Sequence, residues 1–472
     1  MMKSRITKIG TALAATVAVT AALAGCTAGS TTNSNSASTK GQTITVWSLE
    51  NQPDRVTTTQ HIIDAFTKKT GIKVKLVAVD DSQVTQLTES AALSGKLPDV
   101  MGAVSLAEAR QFYSLKLLNT DAAAAIVKNL GAGTFVKSAL ALDQDGSTQI
   151  GIPDSAWAQI LVYRKDLFAK AGLQPPTTYA NIEAAAQKLT VGKQYGITLA
   201  TDPADVFTEQ TFESLALGNG CQLVSKSGKV QLDSAACQTT WSLYGDLAKK
   251  YSPAGTQTVD TTRATYFAGQ AAMVDWSTYI LDELGGLRND ALPSCPQCKG
   301  DPQWLAKNSG IVTAIKGPDG KSSALGQASS WLVTKSSQKA AASEKFIEYM
   351  MSTGYLDWLG MAPEGKFPLR SGDASSPTKY ADGWKNLDTG VDKRATLASI
   401  YDADTMKSIE AVPDNIDTWA IPQGQGALLG AVETQLTIPQ VLGNFASGSI
   451  SASQAAQQAT DAVTQVKSKL IQ

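Results

Sequence analysis

Between Gln42 and Val104 the chain alternates between two hydrophobic periods, and this alternation restricts the fold more than any other feature. Ile44, Val46 and Trp47 lie in a β-favouring run from Gln42 to Ser48. Arg55 to Thr70 reads as a helix, with Ile62, Ile63 and Phe66 at helical spacing, and Gly71 stands where a left-handed cap would end it. Ile72 to Val79 is a second strand, Ser82 to Ser94 a second helix closed by Gly95, and Asp99 to Val104 a third strand. Such repetition builds an α/β layer on a largely parallel sheet. Leu142-Asp143-Gln144-Asp145-Gly146 interrupts it as a turn running into Gln149–Pro153. A calcium loop would need more ligands and a terminal Glu. Residues 156–164 return to strand, Lys165–Ala171 to helix, and Pro175-Pro176-Thr177-Thr178 punctuates the chain before a helix over Tyr179–Leu189. Further on, the pattern predicts a helix over Asp233–Lys250 with Trp241 on its apolar face. It also predicts a strand over Gln327–Thr334, a helix over Gln338–Ser352 and a mostly helical end.

With 472 residues, 43% hydrophobic and 18% charged, the chain can bury substantial cores in two or three domains. A formal net charge of -1 lacks the basic excess that nucleic-acid partners call for. The N-terminus carries Lys3, Arg5 and Lys8, then an apolar run from Gly10 to Ala24, then Leu23-Ala24-Gly25-Cys26. A charged start, an apolar core and small residues at a cleavage point mark an export signal over residues 1–25. The Cys directly after them resembles a bacterial lipobox, which implies a lipid on Cys26 and attachment to a membrane surface. Residues 26–41, rich in Ser, Thr and Asn, read as a flexible tether.

Beyond Cys26 stand Cys221, Cys237, Cys295 and Cys298, an even number that suits disulfides in an exported chain. The preferred pairs are Cys221–Cys237, bracketing a hairpin that turns at Ser227-Gly228, and Cys295–Cys298. Zinc is the alternative for the Cys-Pro-Gln-Cys, although no second CxxC and no nearby His supports it. The one histidine, His61, falls inside the first amphipathic helix, so His-based triads and zinc catalysis lack parts. No phosphate-binding glycine loop appears. A glycosidase needs only two carboxylates, and nothing among the acidic residues selects a pair. The reading is therefore a non-enzyme without cofactor or metal, with a secreted carbohydrate-active enzyme kept as an alternative.

Several stretches, in this order, resemble the extracellular solute-binding proteins of ABC importers, in the subgroup that includes maltose-binding protein. They are Ile44-Thr45-Val46-Trp47, Ser94-Gly95-Lys96-Leu97-Pro98-Asp99-Val100, Ile152-Pro153 before Leu161-Val162-Tyr163-Arg164-Lys165-Asp166-Leu167-Phe168, Pro175-Pro176-Thr177-Thr178-Tyr179, Phe267-Ala268-Gly269-Gln270-Ala271-Ala272-Met273 and Lys366-Phe367-Pro368-Leu369-Arg370. The resemblance implies a two-lobed, periplasmic-binding-protein-like α/β fold whose lobes, each a mixed, mostly parallel sheet flanked by helices, close on a ligand. It places one lobe at 42–150 with 331–366 and the other at 157–326 with 372–472. Three crossings then lie at 151–157, 326–331 and 367–372. It implies a monomer that hands a sugar or oligosaccharide to the importer's membrane permease subunits. A polyamine or phosphate-ester solute remains the alternative. The implied site is rich in rings. Trp47 ends the first strand, where open α/β sheets bind ligands. Trp157 lies beside the first crossing. Trp276 and Tyr279 follow the Ala-Ala-Met strand, although Trp276 takes the place where relatives have a small acidic or amide residue. Trp331 is either packed or facing the cleft, and Trp419 precedes the last helices. Candidate polar partners are Glu50, Ser105, Glu209, Gln210, Asp275 and Gln423.

Overall fold

A computed structural model describes residues 39–470. The export signal, Cys26 and most of the expected tether lie outside the described residues. The folded part starts slightly earlier than Gln42. Lys345 donates to the Thr39 hydroxyl at 2.9 Å, and the Gly41 N–H donates to the Gly71 carbonyl at 2.9 Å.

The chain opens with β1 (Thr43–Ser48), β2 (Lys73–Ala78) and β3 (Val100–Ser105), with α1 (Pro53–Thr70), α2 (Asp81–Leu93) and α3 (Leu106–Ser114) between and after them. Along β1, Ile44, Val46 and Ser48 are buried while Thr45 and Trp47 are half-buried, the alternation of a pleated strand. Pro53 sits at the start of α1, Ile62, Ile63 and Phe66 are buried along it, and Gly71 ends it at φ 73°. Each large apolar side chain so buried contributes about 2–3 kcal/mol.

A small hairpin follows, β4 (Gln144–Asp145) with β5 (Thr148–Gln149), turning at Gly146 as the Asp-Gly predicted. The chain then enters β6 (Ile152–Arg164), and after β7 (Met273–Ser277) and β8 (Ser309–Val312) it returns in β9 (Ala324–Val333). The short β10 (Phe367–Pro368), β11 (Asp388–Thr389), β12 (Ala395–Thr396) and β13 (Ile416–Asp417) complete the set. β6 and β9 each serve two sheets. The first half of β6 pairs with β9 and β10, and its second half with β7 and β8. β9 pairs with β13 at its start, with β6 from Gly326 to Trp331 and with β3 from Ser329 to its end. The main path runs β10-β6-β9-β3-β1-β2.

The sheet is mixed, as expected, but not mostly parallel. Only β1–β2, β1–β3 and β9–β13 are parallel ladders among its named pairs. The antiparallel ladders all involve β6 or β9: β6 runs against β7, β8, β9 and β10, and β9 runs against β3 and β6.

Both expected disulfides are present, Cys221–Cys237 and Cys295–Cys298. The hairpin inside the first is held by a Val224–Val230 bridge, with Gly228 at φ 79° in its turn. Replacing Cys221 and Cys237 by serine should cost about 3 kcal/mol through the freed loop. Urea denaturation measures this, and an unchanged midpoint would show that the closed loop adds no stability.

Candidate functional site

The two strands flanking β9 both break register at the same level. β3 shifts against β9 between Met101 and Val104, where Ala103 takes φ 58°, and β6 shifts between Pro153 and Ser155. Bulges next to a strand end re-aim side chains and recur beside functional sites. Here they set three serines in a row: Ser105 and Ser155 both lie opposite Ser329. The Ser155 and Ser329 hydroxyls are 3.2 Å apart, and Ser329 donates to Asp154 at 3.0 Å. Ser105 caps α3 and gives its hydroxyl to Glu108 at 2.9 Å. One step along the same face, Trp157 lies opposite Gln327. Both are half-buried. The Gln327 amide reaches the Glu433 carboxylate at 3.5 Å.

Glu433 lies on the helix Gly426–Thr434, which faces the helix Val206–Gly218 bearing Glu209 and Glu213. Glu213 accepts from the Trp419 N–H at 2.7 Å and from the Thr418 hydroxyl at 3.4 Å. Glu209 has no exposed surface, and neither of its carboxylate oxygens meets a donor. Burial raises both carboxyls well above the usual range, and the like charge of Glu433 adds to this. Asp275 on β7 is equally sealed. Burial pushes it up too, while Gln159 and Ser214 alongside ease its charge without reaching hydrogen-bond geometry.

The other flank is charge-balanced. Glu50, just beyond β1, pairs with Lys366 and with Arg55 at 2.7 Å. Burial alone would raise its carboxyl, but the two cations bring it down to about 2. The Lys366 ammonium sits 4.6 Å from the Trp358 ring centre, and the Arg55 guanidinium 5.9 Å from that of Tyr279. A Cβ on Gly365 would fall 2.0 Å from the Tyr279 ring, so this glycine is what lets the ring lie against the segment entering β10.

The structure thus groups Ser105, Trp157 and Glu209 around the junction strands, and Glu50 with Tyr279 beside them. Other expected residues stand elsewhere. Trp331 has no exposed surface and packs on Trp358 and Phe346, because a helix covers that face of β9. Trp419 is also sealed, edge-on to Phe212, with its indole N–H donating to the Cys221 carbonyl at 2.9 Å. Trp276 is 6% exposed, bonded to the Val259 carbonyl and covered by Arg263. These three rings are packing residues here. Trp47 is half-buried, paired with Val77 across the strands and packed against the core around Met101. Gln210 is half-buried, and Gln423 donates to Gln222 at 3.3 Å. Arg55, Ser155, Gln327, Ser329, Lys366 and Glu433 were missed as site residues. Gln327 and Ser329 fall inside an expected crossing, which is the signal that could have found them. A groove of about 880 Å³ lies away from all of these, lined by Tyr179, Glu183, Ser242, Asp246 and Lys316. None of the polar groups just described lines it, so the junction is the better candidate.

Comparison with known proteins agrees with this architecture. Residues 50–356 match the family described as "Bacterial extracellular solute-binding protein". The chain is 31% identical over 346 residues to YcjN of Escherichia coli (strain K12), which carries the name of an ABC transporter periplasmic-binding protein, covering 71% of this chain and 74% of that one. Its fold is similar to the sugar-binding protein MalE of Xanthomonas citri, with a TM-score of 0.70 at 19% identity, covering 91% of this chain and 98% of that one. It is also similar to the GacH receptor of Streptomyces glaucescens GLA.O, solved unliganded and with acarbose, with a TM-score of 0.65 at 19% identity and coverage of 90% and 98%. With two lobes joined by shared strands and a polar, aromatic junction between them, this chain belongs to the bacterial extracellular solute-binding proteins of ABC transporters.

Proposed function

We propose that the protein captures a saccharide at the lobe junction and delivers it to an ABC importer, while lipid on Cys26 holds it at the membrane. The observation that carries this reading is Trp157 standing opposite Gln327, one step from the serine row, on strands common to both lobes. An indole stacks on the apolar C–H face of a sugar ring, while amides and hydroxyls take its hydroxyl groups. The similar structures solved with acarbose, or named as sugar-binding, support a saccharide. The expected lobe limits, 42–150 with 331–366 and 157–326 with 372–472, put Trp157 at one crossing and Gln327 at the next. A solute touching both lobes only when they are closed favours the closed state by its differential affinity. The protein acts as a monomer and leaves its solute unchanged.

A thermal-shift panel of oligosaccharides, polyamines, phosphate esters and amino acids tests this, because a ligand of the native state raises the melting midpoint. The expected result is a rise with one oligosaccharide family. Trp157→Ala should then weaken that ligand about tenfold, or about 1.4 kcal/mol. It should leave the free protein folded, with a lower melting point than wild type because the ring is partly buried. Full affinity in the variant would remove Trp157 from the site. A rise with charged solutes alone would exclude a saccharide.

A further inference from the structure

The two flanks of the junction treat buried negative charge in opposite ways. Glu50 is matched by two cations. Glu209 is fully buried, both its oxygens lack donors, and the charges that bear on it, Glu433 and Glu213, have its own sign. A buried carboxylate left without cation or donor costs several kcal/mol. Glu213 is served by the Trp419 N–H and the Thr418 hydroxyl, and Glu433 is bonded by Gln327. Of these glutamates, Glu209 is the one with both acceptors unspent; the two oxygens of Asp275 on β7 also lack donors. Glu209 feels the charge of Glu433 on the helix Gly426–Thr434, whose Gly426 lies against Arg110 and Gly430 against Ala107, both on α3. Trp157 stands across from Gln327, which reaches that same helix.

Resting on the saccharide reading above, we infer that the solute carries a protonated amine, received by Glu209 with Glu433 beside it and the Trp157 ring nearby. An ammonium offers three donors and a positive charge, and it is attracted to an indole face as well as to carboxylates. A neutral hydroxyl offers one donor and no charge, so it leaves Glu209 in the neutral form that burial favours, whereas an ammonium supplies the cation that lets the carboxylate ionise. The same charge arrangement would disfavour phosphorylated or carboxylated sugars.

The test uses three probe series on one β-1,4 backbone: glucosamine oligomers, their N-acetylated forms and cello-oligosaccharides, which differ only in an amine, an acetamide or a hydroxyl at one carbon. Calorimetric titration of the purified protein near neutral pH should show the amine series binding at least about tenfold more tightly than the other two. Glu209→Gln should abolish that preference without lowering the melting point, because neither oxygen of Glu209 has a hydrogen bond to lose. Glu433→Gln should reduce the preference if Glu209→Gln does not fold. Equal or tighter binding of the neutral series, or an amine preference that survives the substitution, overturns the inference and leaves the saccharide reading standing. Binding of spermidine with none of the three series rejects the saccharide and keeps only the amine. No binding by any probe overturns the amine inference and leaves the saccharide reading to the wider oligosaccharide panel.

Discussion

Replacing Lys366 by alanine should destabilise the protein by about 3–5 kcal/mol, because it strands the buried Glu50 carboxylate beside a single remaining cation. Lys366 is 2% exposed and Glu50 7%, so water cannot take over the lost interaction. The pH dependence follows from the Glu50 carboxyl, which lies near 2 in the fold against an ordinary 4.5. A depressed carboxyl stabilises the fold fully above its ordinary value, and that stability is lost as pH falls through about 4.5 to 2. In Lys366→Ala the Glu50 carboxyl moves up, so the difference between wild type and variant should be largest at neutral pH and shrink toward pH 2. Urea denaturation across that range measures it. Lys366→Met combined with Glu50→Gln should recover much of the loss, since both charges leave together. Equal stability of Lys366→Ala and wild type at neutral pH would show that the pair is solvated.

Trp331→Ala should cost about 3–5 kcal/mol through the cavity it opens. The ring lies over β3, where Gly102 makes room: a Cβ there would fall 2.3 Å from the indole. It packs on Trp358 at 4.8 Å and Phe346 at 5.7 Å between ring centres. Trp331→Phe should cost much less, because the buried indole nitrogen has no hydrogen-bond partner to lose. Solute affinity should survive in both variants once they are folded. Affinity that falls in Trp331→Phe, with stability unchanged, would return this ring to the cleft.

How far the sequence can be read depends on the range of the cause. Helix ends were readable because their causes are local. Gly71 and Gly95 take positive φ after α1 and α2, and Thr178 caps the helix Tyr179–Leu189. The cysteine pairing was readable from spacing and compartment. Trp331 was ambiguous because a strand's alternation is the same whether its face meets a helix or a cleft. Glu209 was readable as a candidate polar partner but not as a sealed one, because Trp419 and Glu433, which pack on its helix, lie far along the chain. The Glu50–Lys366 pair was invisible for the same reason: strand order brings its two ends together, and no local pattern records strand order. Trp157 and Gln327 were half readable. Their segments were expected as crossings, but the register that sets them face to face exists only in the folded sheet.

The position of β9 also has a consequence for how the chain is made. In space β9 lies between β3 and β6, yet in sequence it follows both. Until Val333 has been synthesised, β3 and β6 carry backbone donors and acceptors with no strand to receive them. Long-range pairing of this kind is formed late and slowly. A product ending before Ala324 would expose two open strand edges and should associate with other chains or be degraded, however well its separate helices form.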